Sequence, residues 1–136
     1  MVNLIGAMII AIFFEVMMPI AVFAEDSSNC ENLQGDYERG RVVFFRCQSC
    51  HSLELGRNGF GPSLRGVIGR KSGSLDRFSY SQAMSKSNLL WTPDLLNIYL
   101  ENPQNLVPDN RMSFPGINKV EDRFAVIKYM CEFPMR

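Results

Sequence analysis

The chain has 136 residues, with 14 basic and 14 acidic side chains, zero formal net charge and 46% hydrophobic residues. That profile fits one small globular domain and excludes a nucleic-acid-binding protein, which would carry a basic excess.

Residues 1–24 are apolar apart from Glu15 and end Val22-Phe23-Ala24 ahead of Glu25-Asp26. Small or branched residues three back and one back from a boundary suit signal peptidase, which places cleavage after Ala24. No Lys or Arg stands near Met1, and Glu15 interrupts the apolar run. An uncleaved anchor is therefore the alternative, since ~20 apolar residues could span a bilayer. Loss of residues 1–24 removes Glu15 and no basic residue, leaving 14 basic against 13 acidic side chains. Residues 25–34 form a polar N-terminal segment containing Cys30, and the domain proper runs over 35–136.

From Asp36 onward, Tyr37, Gly40, Val43, Phe44 and Cys47 recur every three or four residues, the spacing of one helical face. Asp36 is suited to cap that helix. Gly40 inside it costs ~1 kcal/mol of propensity relative to Ala, which predicts a close crossing by another helix; a tolerated surface glycine is the alternative. Then comes Cys47-Gln48-Ser49-Cys50-His51, the pattern of a covalent c-type haem attachment site. Two thiols three positions apart each add to one porphyrin vinyl group, and the adjacent imidazole turns onto the iron. A zinc site would need four ligands, but the other cysteines, Cys30 and Cys131, are far apart and there is no second His. A redox dithiol would want a strand before the motif and a helix after it, whereas a helical stretch precedes this one and a Gly-rich loop follows. Haem attachment of this kind takes place on the exported side of a membrane. The expected location is the periplasm, with a membrane-anchored form facing it as the alternative.

Residues 52–74 hold six glycines and Pro62, too many breakers for a long helix, and read as a wrapping loop. Residues 80–86 predict a short helix. Thr92-Pro93-Asp94 supplies a cap, a proline at the first helical position and an acid in the first turn. Leu95, Leu96, Tyr99 and Leu100 form its apolar face, and Pro103 stops it. Residues 102–117, with Pro103, Pro108, Pro115 and Gly116, read as a stiffened loop. Asn118 with Glu121 resembles a capping box opening a last helix, whose stripe is Val120, Phe124, Ile127 and Cys131. The sum is an all-α domain with loops that need something to wrap around. About 110 residues bury only a modest core, so the haem is expected to be part of it.

His51 is the only histidine, which excludes two histidine ligands from one chain and leaves Met or an open sixth position. Met84, Met112, Met130 and Met135 are the candidates after residue 24. Met130 and Met84 fall in helical segments and Met135 is one residue from the end, whereas Met112 lies in a loop braced by prolines on both sides.

These residues resemble the class I cytochromes c, particularly the mitochondrial-like bacterial forms. The stretch from Gly35 through His51 is similar to that family's first helix and haem site, and Gly61-Pro62-Ser63-Leu64-Arg65-Gly66 to its following loop. Phe78-Ser79-Tyr80, Trp91-Thr92, Tyr99-Leu100-Glu101-Asn102-Pro103 and Met112-Ser113-Phe114-Pro115-Gly116-Ile117 continue in family order. The resemblance covers residues 35–131. It implies three main helices plus short helices and loops around one covalent haem c, with Cys47 and Cys50 as thioethers and His51 and Met112 on the iron. It further implies that the Pro62 carbonyl holds the His51 ring and that Tyr80 and Trp91 bond the haem propionates, with Arg70 offsetting their charge. Tyr99 would lie beside the Met112 sulfur and Phe114 at the exposed haem edge. For Trp91 and Tyr99 plain core packing is the alternative. Gly40 would cross the last helix at Val126 or Tyr129.

Met84 and Asn110 depart from the family's usual Asn and Thr, and Gln104 and Asn118 stand at sites often basic in it. Arg41, Arg46, Arg111 and Lys119 remain to steer docking, weakly. In an exported domain with crossing terminal helices, Cys30 and Cys131 are expected to pair. The implied function is a mono-haem, one-electron carrier, monomeric and not an enzyme. Its partners would be a cytochrome bc complex or dehydrogenase as donor and a terminal oxidase or reductase as acceptor, with no nucleic acid, and with membrane contact only through partners or an uncleaved N-terminus. A haem enzyme or gas sensor with an open sixth position is the rival, and an anchored subunit of a larger redox assembly a third reading.

Overall fold

The computed structural model describes residue 30 and residues 32–133, so the expected leader and most of the polar segment after it lie outside the described residues. Five helices occur there: α1 (Tyr37–Phe44), α2 (Gln82–Lys86), α3 (Pro93–Glu101), α4 (Pro103–Leu106) and α5 (Val120–Glu132). The only extended pairing among them is an isolated bridge between Lys71 and Leu90.

Three helix starts follow from local chemistry. The side chains of Asp36, Ser81 and Thr92 accept from the amides of Arg39, Met84 and Leu95, each satisfying a donor that the first turn leaves free. Other boundaries differ from expectation. α1 ends at Phe44 rather than running to Cys47, because the chain tightens into three-residue bonds, such as Cys47 N to the Phe44 carbonyl at 2.8 Å. Pro103 both stops α3 and opens α4, with the Asn102 side chain accepting from the Gln104 amide. The Asn118–Glu121 capping box does not form: Lys119 is the N-cap of α5 and makes no side-chain capping bond. The Asn118 carbonyl is instead held by the Arg123 guanidinium at 3.0 Å. Val120 is exposed rather than part of an apolar stripe. It occupies the first helical position, before α5 has reached the core.

The frame is the crossing of α1 and α5. A β-carbon on Gly40 would lie 2.0 Å from the Ala125 carbonyl oxygen and 2.8 Å from the Tyr129 β-carbon, so only glycine permits this approach. The partner at that point is Ala125 with Tyr129, not Val126. The Tyr129 ring packs against Tyr37 and Phe44, centroids 5.1 and 5.4 Å away. Beside the crossing the Cys30 and Cys131 sulfurs lie within bonding distance, their α-carbons 5.6 Å apart. Arg123, buried on α5, donates to Asn97 of α3 at 2.7 Å and to the Ile117 carbonyl at 2.7 Å. One side chain thereby ties α5, α3 and the end of the 107–119 connection together. Among the described residues no helix is long and apolar enough to cross a membrane.

Candidate haem-binding site

The turns after α1 set out the motif, with Cys50 N on the Cys47 carbonyl at 3.0 Å and His51 N on the same oxygen at 2.9 Å. Both motif thiols are free, Cys47 half-buried and Cys50 exposed. Burial raises the Cys47 thiol to about 11, against a smaller opposing pull from Arg46. The following loop folds back onto the motif. Gly61 N donates to the Cys50 carbonyl at 2.9 Å, and a β-carbon at Gly59 would sit 2.7 Å from that oxygen. At Gly61 a β-carbon would lie 2.3 Å from the His51 ring, so the backbone itself forms the wall against the imidazole.

His51 Nδ1 is 2.7 Å from the Pro62 carbonyl oxygen. A carbonyl only accepts, so Nδ1 carries the hydrogen and Nε2 the lone pair. Burial lowers the His51 pKa, with the Pro62 bond opposing and Arg70 adding to the lowering, which favours the neutral, donor-capable ring. The donor set fits a covalently held haem: two unpaired thiols at the attachment spacing and an imidazole fixed with one nitrogen available. Among the described residues no three His, Cys, Asp or Glu side chains converge as a metal-ion set of the zinc type.

Met112 is half-buried and its sulfur is 3.4 Å from the Tyr99 hydroxyl. Burial pushes the Tyr99 phenol up to about 12, so it stays a donor. Asn110, 7% exposed, fixes the approach to Met112. Its side-chain oxygen accepts from Met112 N at 2.9 Å, while its amide donates to the carbonyls of Pro103 at 3.1 Å and Val107 at 2.7 Å. Gln104 closes the ring by donating to the Asn110 carbonyl at 3.0 Å. Beyond Met112 the chain is pinned by Ile117 N on the Leu100 carbonyl at 2.7 Å.

Arg46, next to Cys47, reaches across to this segment. It donates to the Gly116 carbonyl at 3.1 Å and stacks over the Phe114 ring, 5.2 Å from its centroid. Trp91 is buried, its ring tilted against Tyr99 at 4.9 Å, and its backbone pairs with Arg70 and Gly69. Arg70 donates to the carbonyls of Ser63 at 2.9 Å and Arg65 at 3.2 Å, and burial lowers its pKa. Tyr80 packs edge-on against Phe78 at 4.8 Å. Burial raises its phenol, with Arg70 opposing. The expected residues thus fall into two groups, one around His51 and one around Met112, with Arg46 bridging them.

Arg46, Arg123, Gln104 and the structural role of Asn110 are not visible in the motif pattern. Only the burial of polar side chains between breakers could have pointed to Asn110.

The cytochrome c family model matches residues 37–132. The chain is 42% identical over 100 residues to cytochrome c type-1 of Ascaris suum, covering 73% of this chain and 89% of that protein. It is 46% identical over 88 residues to cytochrome c2 iso-2 of Magnetospirillum fulvum, covering 65% and 92%. Among solved structures, cytochrome cH from Methylobacterium extorquens superposes with a TM-score of 0.67 at 37% identity, covering 71% of this chain and 97% of that one. With the match spanning both terminal helices and everything between them, the chain belongs to the cytochrome c family, whose members bind haem c covalently and transfer electrons rather than transform substrates.

Proposed function

We propose that the protein is a mono-haem, one-electron carrier in which Cys47 and Cys50 hold the haem and His51 and Met112 ligate its iron. The observation that carries this reading is that each iron donor already has its own fixing partner, Pro62 for His51 and Tyr99 for Met112. A thioether opposite an imidazole fills the sixth position and raises the reduction potential, which suits electron transfer. In this reading the haem supplies the redox change. The chain's own residues hold the imidazole tautomer, present the sulfur and close the crevice. Tyr80 and Trp91 serve the propionates, Arg70 lies near enough to Tyr80 to offset charge there, and Phe114 covers the edge beneath Arg46.

The carrier works between redox proteins on the exported side of the membrane, with a bc-type complex or dehydrogenase as donor and an oxidase or reductase as acceptor. N-terminal sequencing that begins at Glu25 supports a cleaved, periplasmic protein; Met1 supports an anchored one. For the ligand, Met112→Ala should abolish the weak sulfur-to-iron band at the red end of the ferric spectrum, and survival of that band rules Met112 out. Rapid carbon monoxide binding by the reduced wild-type protein at neutral pH would favour the open-site haem protein instead.

A further inference from the structure

His51 is held by a peptide group that is itself held. The Pro62 carbonyl, 2.7 Å from His51 Nδ1, belongs to the same peptide unit as the amide of Ser63, and that amide donates to the Asn58 side-chain oxygen at 2.9 Å. Three groups therefore lie in series: the imidazole N–H on the carbonyl, one resonant peptide bond, and the amide N–H on Asn58. A peptide polarised at its N–H carries more negative charge on its oxygen, so each hydrogen bond in such a chain strengthens the next. On its other side the Asn58 amide nitrogen donates to the Arg77 carbonyl at 3.3 Å. With a backbone N–H facing one end and a backbone carbonyl the other, only one orientation of the Asn58 amide satisfies both.

The surroundings keep that peptide from turning. Ser63 is 1% exposed, and its hydroxyl donates to the Glu54 carbonyl at 2.7 Å and accepts from Arg65 N at 3.3 Å. Its own carbonyl takes the Arg70 guanidinium at 2.9 Å. On the near side, Gly61 lets the backbone lie flat against the imidazole. These contacts fix where the Pro62 oxygen sits. Asn58 alone acts on the atom in line with the His51 bond, the Ser63 N–H, and so bears on the strength of that bond as well as its place.

We infer that Asn58 is a positioning residue for the iron's imidazole: it fixes and polarises the Pro62–Ser63 peptide and, through the bond at Nδ1, makes Nε2 a stronger donor. The inference rests on the His51 ligation proposed above. A more basic imidazole favours ferric over ferrous iron. Asn58 thus lowers the reduction potential that the Met112 thioether raises.

The test compares wild-type holoprotein with Asn58→Leu and Asn58→Asp. Both variants lose the bond to Arg77, but the aspartate keeps an acceptor, now charged, for Ser63 N. In optical redox titrations the ferrous-to-ferric ratio at a fixed solution potential should rise about threefold in Asn58→Leu, about 28 mV at 59 mV per tenfold, and should fall in Asn58→Asp. The fall should persist at about 0.5 M salt, where the direct field of an exposed charge is screened. In NMR of the ferrous proteins the His51 Nδ1–H resonance should move upfield in Asn58→Leu and downfield in Asn58→Asp. The wild type supplies a reading that needs no variant: scalar couplings across both hydrogen bonds, from Ser63 N to Asn58 Cγ and from His51 Nδ1 to the Pro62 carbonyl carbon. A residue that only staples the loop would shift both potentials in the same direction. Shifts of equal sign, an Nδ1–H resonance that stays in place, or the absence of either coupling overturns the proposal. A high-spin ferrous spectrum of the wild type would instead sink the His51–Met112 ligation itself.

Discussion

Asn110 accepts from the Met112 amide and gives both of its own amide hydrogens to the Pro103 and Val107 carbonyls. With one side chain it supplies the acceptor for the Met112 amide and a second donor to each of two carbonyls that already accept a backbone amide. Removing it leaves the Met112 amide without its acceptor, while the Pro103 and Val107 carbonyls keep the backbone amides of Val107 and Asn110, so Asn110→Ala should destabilise the holoprotein by about 1–3 kcal/mol, read from urea denaturation. The sulfur-to-iron band should disappear at lower urea than the helical signal does. From the sequence this residue showed only as a substitution near the ligand loop. Its importance depends on carbonyls up to seven positions away being folded back around it, which no local pattern encodes. The Cys47–His51 chemistry is the opposite case. Its spacing is itself the reaction geometry, so it can be read without any fold.

α1 and α5 owe their contact to an absent methyl group. Gly40→Ala would drive a β-carbon into the Ala125 carbonyl and should cost about 3 kcal/mol through forced separation of the helices, measurable as a lowered urea midpoint. Tyr129, in the same crossing, gives a pH test. Burial, the largest cause, raises its phenol above the ordinary 10.0, and Tyr37 and Glu38 add to this against Arg41. The neutral ring is thus favoured more strongly in the fold than in the unfolded chain. Its stabilisation is fully present below about pH 10 and is lost as pH rises from there through the raised folded value. Tyr129→Phe should show a flatter fall in urea midpoint between pH 9 and 11 (about one unit either side of the ordinary value) than wild type. Helix starts with a local cap are legible at Asp36 and Thr92, whereas the Ser81 cap, one residue inside the expected 80–86 helix, emerges only in the fold. The start of α5 departs from the Asn118 expectation because Arg123 takes the Ile117 and Asn118 carbonyls and fixes the entry one residue later. Pro103 is legible as a stop, but proline suits a first helical turn equally well and here opens α4.

At the scale of the molecule, the all-α order and the wrapping loops follow from apolar spacing and breakers, while the joins between elements do not. Arg123 linking α3, α5 and Ile117, and Lys128 reaching the Leu33 carbonyl at 3.2 Å, join residues far apart in sequence. The Cys30 and Cys131 sulfurs meet across a separation of 101 residues. If they are bonded, replacing both with Ser should lower stability by about 4–5 kcal/mol in the chain-entropy model. Mass spectrometry of unreduced protein supplies the matching check: a mass two hydrogens below that of the dithiol is expected, and two alkylatable thiols at these positions would remove the bond.

Arg46 gives the crevice a kinetic character as well as a shape. The segment carrying Met112 is tethered at its ends, at Met112 N by Asn110 and at Ile117 N by Leu100, while Phe114, packed on the core, and Gly116, pressed against the Glu101 carbonyl, are tied towards α1 by one guanidinium. One hydrogen bond and one cation–ring contact amount to about 2 kcal/mol, far less than the stability of a whole domain. This short span is therefore expected to open locally, without any helix melting, at a lower free energy than the whole domain unfolds. Its amides would exchange with solvent by that brief excursion, orders of magnitude faster than those of α1 and α5.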